Sequence, residues 1–141
     1  MIDSLKIALI RLLAFILVLF NFSCDDSSSY DIIIVGGGTS GVVSAIQSSR
    51  MGSKTLLVEE SNWLGGMITS AGVSAMDGNY KMPSGFLKEF RDSLVSHYGN
   101  LDSLKTGWVS NLMFEPSVGN RILKEIAQSE KNLTIMYETT I

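Results

Sequence analysis

The feature that most constrains this chain is a strand, a glycine-rich turn, a helix and a second strand in close succession, from Asp31 to Glu60. Ile32–Val35 is an unbroken apolar run, and such continuous apolarity predicts a strand buried on both faces of a parallel sheet. A helix is predicted from Thr39 to Met51, ended by Gly52, with a second strand at Thr55–Val58. Strand, helix and strand form a βαβ unit, which is almost always parallel, so we predict an α/β, Rossmann-like domain.

The turn of this unit contains the pattern G-x-G-x-x-G at Gly36, Gly38 and Gly41. In such turns the first glycine allows a tight bend, the second lets the backbone approach a pyrophosphate, and the third lets the helix pack closely on the sheet. The first helical residues, Thr39 and Ser40, would offer backbone amides to the phosphate charge. Because the pattern lies between a predicted strand and a predicted helix, it predicts a dinucleotide-binding site.

An acidic residue ends the second predicted strand. Glu59 follows Gly41 by 18 residues, where a carboxylate accepts hydrogen bonds from the adenosine ribose hydroxyls. Its charge would repel a 2′-phosphate, which argues against NADP. The alternatives are an ordinary strand-to-helix turn at Gly36–Gly38 and a solvated surface acid at Glu59.

The chain after Glu60 predicts further elements of an α/β domain. Residues 61–83 are rich in Gly, Ser and Asn and predict a long loop, with a helical turn near Gly66. Helices are predicted from Gly85 to His97 and from about Ser117 to Ser129, and a third strand at Leu133–Tyr137. Residues 100–111 favour neither a helix nor a strand.

The first 23 residues have the pattern of an export signal. Lys6 and Arg11 precede the apolar run Leu12–Phe20, which is too short to cross a bilayer and ends near the small residue Ser23. The sole cysteine, Cys24, follows directly and resembles the acylated first residue of a bacterial lipoprotein. We therefore expect a signal peptide at 1–23, a flexible tether at 24–29 and a lipid anchor on a membrane surface of the cell envelope. An uncleaved signal anchor is the alternative.

Charge and composition exclude two classes of partner. A formal net charge of −3 argues against nucleic-acid binding, which requires a basic face. One histidine, His97, and one cysteine cannot supply the usual ligand clusters, so no metal site is predicted. No catalytic constellation is apparent, and the catalytic residues cannot be assigned.

Two segments together carry a family resemblance. Tyr30–Glu60 and Leu64–Val73, with its Leu-Gly-Gly-Met followed by Thr and Gly, resemble FAD-dependent oxidoreductases of the glutathione-reductase-type fold, closest to an exported bacterial group. The resemblance implies FAD as the cofactor, with Gly65, Gly66 and the adjoining Met67 beside the flavin or its pyrophosphate. It also implies that residues 30–141 are the N-terminal portion of an FAD-binding domain.

The resemblance sets the functional expectation. We expect an FAD-dependent oxidoreductase acting on an unknown small-molecule or carbohydrate substrate, and we expect this chain alone to be an inactive fragment. By resemblance, residues 139–141 would approach the adenine. The alternatives are a non-catalytic exported lipoprotein with a degenerate nucleotide-binding fold and an NAD-dependent dehydrogenase.

Overall fold

The fold is given by a computed structural model, which describes residue 11 and residues 29–141 except 77, 79 and 109. The expected signal peptide, apart from residue 11, and the expected acylation site Cys24 lie outside the described residues. Among the described residues, no helix combines the length and apolarity needed to cross a membrane.

A parallel sheet of three strands forms the centre of the described domain. The strands are β1 (Ile32–Val35), β2 (Thr55–Val58) and β3 (Leu133–Met136), in the order β1-β2-β3. Ile34 pairs with Leu57, which pairs with Ile135, so these side chains lie on one face. The parallel α/β fold predicted from the sequence is confirmed.

Three helices connect the strands. They are α1 (Thr39–Arg50), α2 (Gly85–Tyr98) and α3 (Pro116–Gln128), each within one or two residues of its predicted bounds. Pro116 occupies the first turn of α3, where its missing amide hydrogen costs nothing. The helical turn expected near Gly66 is a 3₁₀ turn at Gly66–Ile68, and the ambiguous stretch contains another at Asp102–Leu104.

The core lies between the helices and one face of the sheet. Phe90 of α2 and Phe114, just before α3, meet edge to face with ring centroids 5.4 Å apart, which closes the far side of the core. The largest fully buried side chains are those of Phe90, Ile46, Leu57, Leu64, Leu94, Leu104, Leu112, Leu123, Val42, Thr55 and Thr69.

The expectation that β1 is buried on both faces is wrong for the described chain. Ile33 is 58% exposed and Val35 is 67% exposed, whereas Ile34 packs against the core. Among the described residues, the core packs on the face of β1 that carries Ile34, and β1 is an edge strand of the sheet. In β2, by contrast, all four side chains are buried, because this strand is flanked on both sides.

Candidate functional site

The glycine turn lies at the carboxyl end of β1, the edge of an open parallel sheet where ligands bind. Gly36 has φ +95°, a conformation that favours glycine, and its amide donates to the carbonyl oxygen of Val58 at 2.8 Å. Gly38 has φ −60°, and a Cβ built on it would meet nothing within 4 Å. The turn therefore leaves open space beside the backbone of Gly38, where the sequence pattern predicts a pyrophosphate.

The first turn of α1 faces this space. The helix begins at Thr39, and its first intrahelical bond runs from the amide of Val42 to the carbonyl of Gly38. By helix geometry the preceding amides, including that of Ser40, have no acceptor within the helix and can serve an anion. A Cβ on Gly41 would collide with the carbonyl oxygen of Gly36, so the third glycine permits close contact with the turn itself.

Glu59 lies at the end of β2 and its side chain is buried. Oε2 accepts a hydrogen bond from the amide of Gly37 at 2.5 Å. Oε1 accepts from the amide of Ser61 at 2.9 Å and from its hydroxyl at 2.6 Å. Burial opposes ionisation, but these hydrogen bonds outweigh it, so the pKa of Glu59 lies below its usual value. The carboxylate is thus held as an anion against the glycine turn.

Gly37 and Ser61 are site residues that the sequence analysis missed. A Cβ on Gly37 would lie 2.7 Å from Oε2 of Glu59, so only glycine lets the carboxylate reach this amide. The available signal was that Gly37, the middle one of three consecutive glycines, is not required by G-x-G-x-x-G. Ser61 carried no comparable signal.

The second glycine pair lies directly against the first turn. The amide of Gly65 donates to the carbonyl of Gly37 at 2.8 Å, and Gly65 forms a parallel bridge with Gly38. The hydroxyl of Thr39 donates to the carbonyl oxygen of Gly65 at 2.7 Å. Gly66, with φ +54°, follows in the 3₁₀ turn. The glycine turn that precedes Thr39 and the Gly65–Gly66 pair therefore form one surface, although Thr39 and Gly65 are 26 residues apart in sequence.

A side chain of α3 fixes this second turn. Oδ1 of Asn120 accepts a hydrogen bond from the amide of Leu64 at 2.9 Å. Asn120 is a further residue that sequence reasoning missed, since the two positions are separated by 56 residues. Met67 lies in the same turn and is 67% exposed, so its side chain is available to a ligand.

A cleft of about 220 Å³ opens at the carboxyl ends of the strands. The chain after β3 closes one side of it, because the amide of Thr139 donates to the carbonyl of Glu59 at 3.0 Å. Tyr137 lies nearby, and its buried hydroxyl has no hydrogen-bond partner among the described residues. The residues lining the cleft are Val35, Gly36, Val58, Glu59, Glu60, Thr139, Thr140 and Ile141.

These observations fit the adenosine and pyrophosphate half of FAD. The open space at Gly38 would admit a pyrophosphate, and the cleft beside Glu59 would admit an adenosine.

Within the described residues no group of His, Cys, Asp and Glu is arranged to hold a metal ion. His97, in the last turn of α2, accepts a hydrogen bond from Arg121 at Nδ1, 3.1 Å away, because a guanidinium can only donate.

Comparison with known proteins gives one family. A family described as FAD dependent oxidoreductase matches residues 31–141. Mitochondrial dihydrolipoyl dehydrogenase 1 of Arabidopsis thaliana is 39% identical over 51 residues, which are 36% of this chain and 10% of that protein. Dihydrolipoyl dehydrogenase of Trypanosoma brucei brucei is 44% identical over 43 residues, which are 30% of this chain and 9% of that protein. The matched segments thus span about a tenth of these relatives.

Among solved structures, the crystal structure of Thermovibrio ammonificans THI4 aligns with this chain. The alignment covers 95% of this chain and 45% of that one, at 17% identity and a TM-score of 0.47.

Proposed function

Since the chain belongs to the FAD-dependent oxidoreductase family, whose cofactor is FAD, we propose that residues 30–141 hold the ADP half of the cofactor in such an enzyme. One observation carries this proposal. Three features meet at one edge of the sheet: the open space at Gly38, the first turn of α1 and the buried carboxylate of Glu59. A pyrophosphate and a ribose need these three features at this spacing.

Each residue of the site has a defined part in binding. The amides of Thr39 and Ser40 and the dipole of α1 would stabilise the pyrophosphate charge. Glu59 would accept a hydrogen bond from the ribose, and its negative charge disfavours a 2′-phosphate. Gly65 and Gly66 would let the ligand approach the second turn, with Met67 at its rim.

The flavin itself would supply the redox chemistry, and the protein would bind it, orient it and exclude water. We propose a small molecule as the substrate, with carbohydrates as the class that the resemblance to exported bacterial proteins favours. We also expect this chain alone to be inactive, because the described cleft would hold the ADP half of the cofactor and not the flavin ring, where the reaction takes place.

Ligand competition tests the proposed binding mode. FAD and ADP contain the adenosine and pyrophosphate that the site fits, whereas FMN lacks the adenosine. We expect FAD binding to raise the fluorescence anisotropy of the flavin and ADP to reverse that rise, while FMN binds much more weakly. Equal binding of FAD and FMN, or no effect of ADP, would show that the described cleft does not hold the ADP half.

We further propose that the protein is exported and lipid-anchored through Cys24. The support is the order of Lys6 and Arg11, the apolar run 12–20 and the cysteine that follows. Mass spectrometry of the protein purified from membranes should show a lipid-modified N-terminal cysteine, and Cys24→Ser should abolish that modification. An unmodified N-terminus at Met1 in a cytoplasmic fraction would contradict this proposal.

A further inference from the structure

We propose that Ser61 is a positioning residue of this site, holding the carboxylate of Glu59 in the orientation that receives a ribose hydroxyl. The inference rests on the proposed function, because it concerns the same cleft. Ser61 itself need not touch the ligand. Its hydroxyl and its amide act through the carboxylate of Glu59.

The geometry shows which partner the hydroxyl of Ser61 serves. Its oxygen lies 2.6 Å from Oε1 of Glu59 and 3.2 Å from the carbonyl oxygen of Trp63. A hydroxyl has one hydrogen, and the shorter distance and the charged acceptor both favour Glu59. The amide of Trp63 donates to the same hydroxyl oxygen at 3.1 Å, which fixes the direction of the hydroxyl.

A count of acceptor sites explains why orientation matters. A carboxylate offers about four lone-pair directions. Two are used by the amide and hydroxyl of Ser61 and one by the amide of Gly37. One acceptor direction remains, and because Glu59 lines the cleft we assign that direction to a ligand bound there. Without Ser61, the carboxylate would have to be ordered when the ligand binds, which weakens binding.

Other titratable groups surround this carboxylate. Glu60 lines the same cleft, and the amide of Glu138 donates to the carbonyl of Ser61. Burial, followed by the charge of Glu59, raises the pKa of Tyr137, so its phenol stays neutral at and below neutral pH. Lys124 of α3 lies over the ring of Tyr137, 4.9 Å from its centroid. Glu59 differs from Glu60 and Glu138 in being buried, and Ser61 bonds to its carboxylate.

Ser61 could instead serve only the turn that leads to Gly65, through its contact with Trp63. The experiment therefore measures both the affinity for FAD and the dependence of that affinity on pH. FAD affinity of the full chain, isolated in mild detergent, is measured between about pH 3 and pH 8, a range that extends below the ordinary pKa of a glutamate because the pKa of Glu59 is lowered. The variants are Ser61→Ala, Ser61→Thr, Glu59→Gln and the double variant, with Ser129→Ala as the matched control. The hydroxyl of Ser129 also makes a short hydrogen bond, but to the carbonyl oxygen of Ile126 at the end of α3, away from the cleft.

A positioning role predicts a specific pattern. Ser61→Ala should weaken FAD binding about tenfold, the effect of one hydrogen bond to a charged group, and should move the acidic midpoint of binding to higher pH. Ser61→Thr, which keeps the hydroxyl, should restore both, and Ser129→Ala should change neither. In the Glu59→Gln background, where the acceptor is a neutral amide oxygen, Ser61→Ala should have a smaller further effect.

Two results would overturn this inference alone. Wild-type affinity and an unchanged midpoint in Ser61→Ala would refute it while leaving the proposed function intact. An equal loss of affinity with and without Glu59, at an unchanged midpoint, would assign Ser61 a purely structural role. Failure of the wild-type chain to bind FAD or ADP would instead refute the proposed function and this inference together.

Discussion

Gly66 lies so close to Gly38 that a Cβ built on Gly66 would be 3.0 Å from the Cα of Gly38. The second glycine turn is therefore packed on the backbone of the first. Gly66 also has φ +54°, a conformation in which a side chain is strained. The surface proposed to face the pyrophosphate thus depends on two glycines that are far apart in sequence.

The first prediction separates the close contact at Gly66 from its backbone strain. Gly66→Ala should lower the free energy of unfolding by about 2–4 kcal/mol, because strain and overlap with Gly38 add together. Gly72→Ala is the control, since Gly72 has φ +78° but nothing within 4 Å of its Cβ position. That variant should lose only about 1–2 kcal/mol, the cost of a left-handed conformation. Urea denaturation measures the free energy of unfolding of both variants. Equal losses of stability would show that the close contact between Gly66 and Gly38 adds no cost.

The second prediction concerns Gly38, where stability and binding should separate. Its φ of −60° suits any residue and its Cβ position is open, so Gly38→Ala should leave the chain folded and as stable as wild type, or up to about 1 kcal/mol more stable. The new methyl group would occupy the space proposed for the pyrophosphate, so FAD binding should fall sharply, and Gly38→Val should abolish it. Unchanged FAD affinity in a folded Gly38→Val variant would exclude this space as the phosphate site.

The sequence correctly predicted the features that depend on residues close together in the chain. The bounds of β2, Thr55–Val58, match the prediction because apolar residues and turn signals define them locally. The contact between Gly37 and Glu59 could not be predicted, since it requires knowledge of where a carboxylate 22 residues away turns. The exposed face of β1 was mispredicted, because apolarity shows that burial is favourable but not whether a covering layer is present.

The third prediction concerns an ion-pair network that joins three parts of the described fold. Arg50, at the end of α1, contacts Glu89 of α2 at 2.7 Å and Glu130, beyond α3, at 2.7 Å. Arg50→Gln should lower the free energy of unfolding by about 1 kcal/mol, a value limited by solvent screening because the side chains are partly exposed. The difference should shrink in high salt. Arg121→Gln, which removes an exposed pair with Glu125, is the control and should change stability less.

The same network predicts a dependence on pH. The hydrogen bond from Arg50 holds the pKa of Glu89 below its usual value, although burial opposes this. The stabilisation is therefore fully present above the pKa of an unfolded glutamate and is lost as pH falls through the lowered pKa. Wild type and Arg50→Gln should differ most near neutral pH and converge in acid. A difference that stays constant down to about pH 2, below the ordinary carboxyl range, would contradict this assignment.

The last prediction concerns the open face of the sheet, where Ile33, Val35 and Met136 are exposed. By the strand register they lie on the face opposite Ile34 and Leu57, on either side of the buried Leu56 and Val58 of β2, and so form the exposed edges of an apolar strip. Exposed strips of this kind promote association, so residues 25–141 should self-associate as concentration rises. Ile33→Thr with Val35→Thr should reduce association without disrupting β1, because threonine is also a good strand former.

Met51→Thr provides the control for this experiment, since Met51 is 79% exposed but lies at the end of α1, outside the strip. Light scattering after gel filtration measures the mass at several concentrations. If the apolar strip drives association, the measured mass of the Ile33→Thr/Val35→Thr variant should be lower than that of wild type. The mass of Met51→Thr should equal that of wild type. Equal effects of both changes would show that general hydrophobicity, rather than the open face of the sheet, drives association.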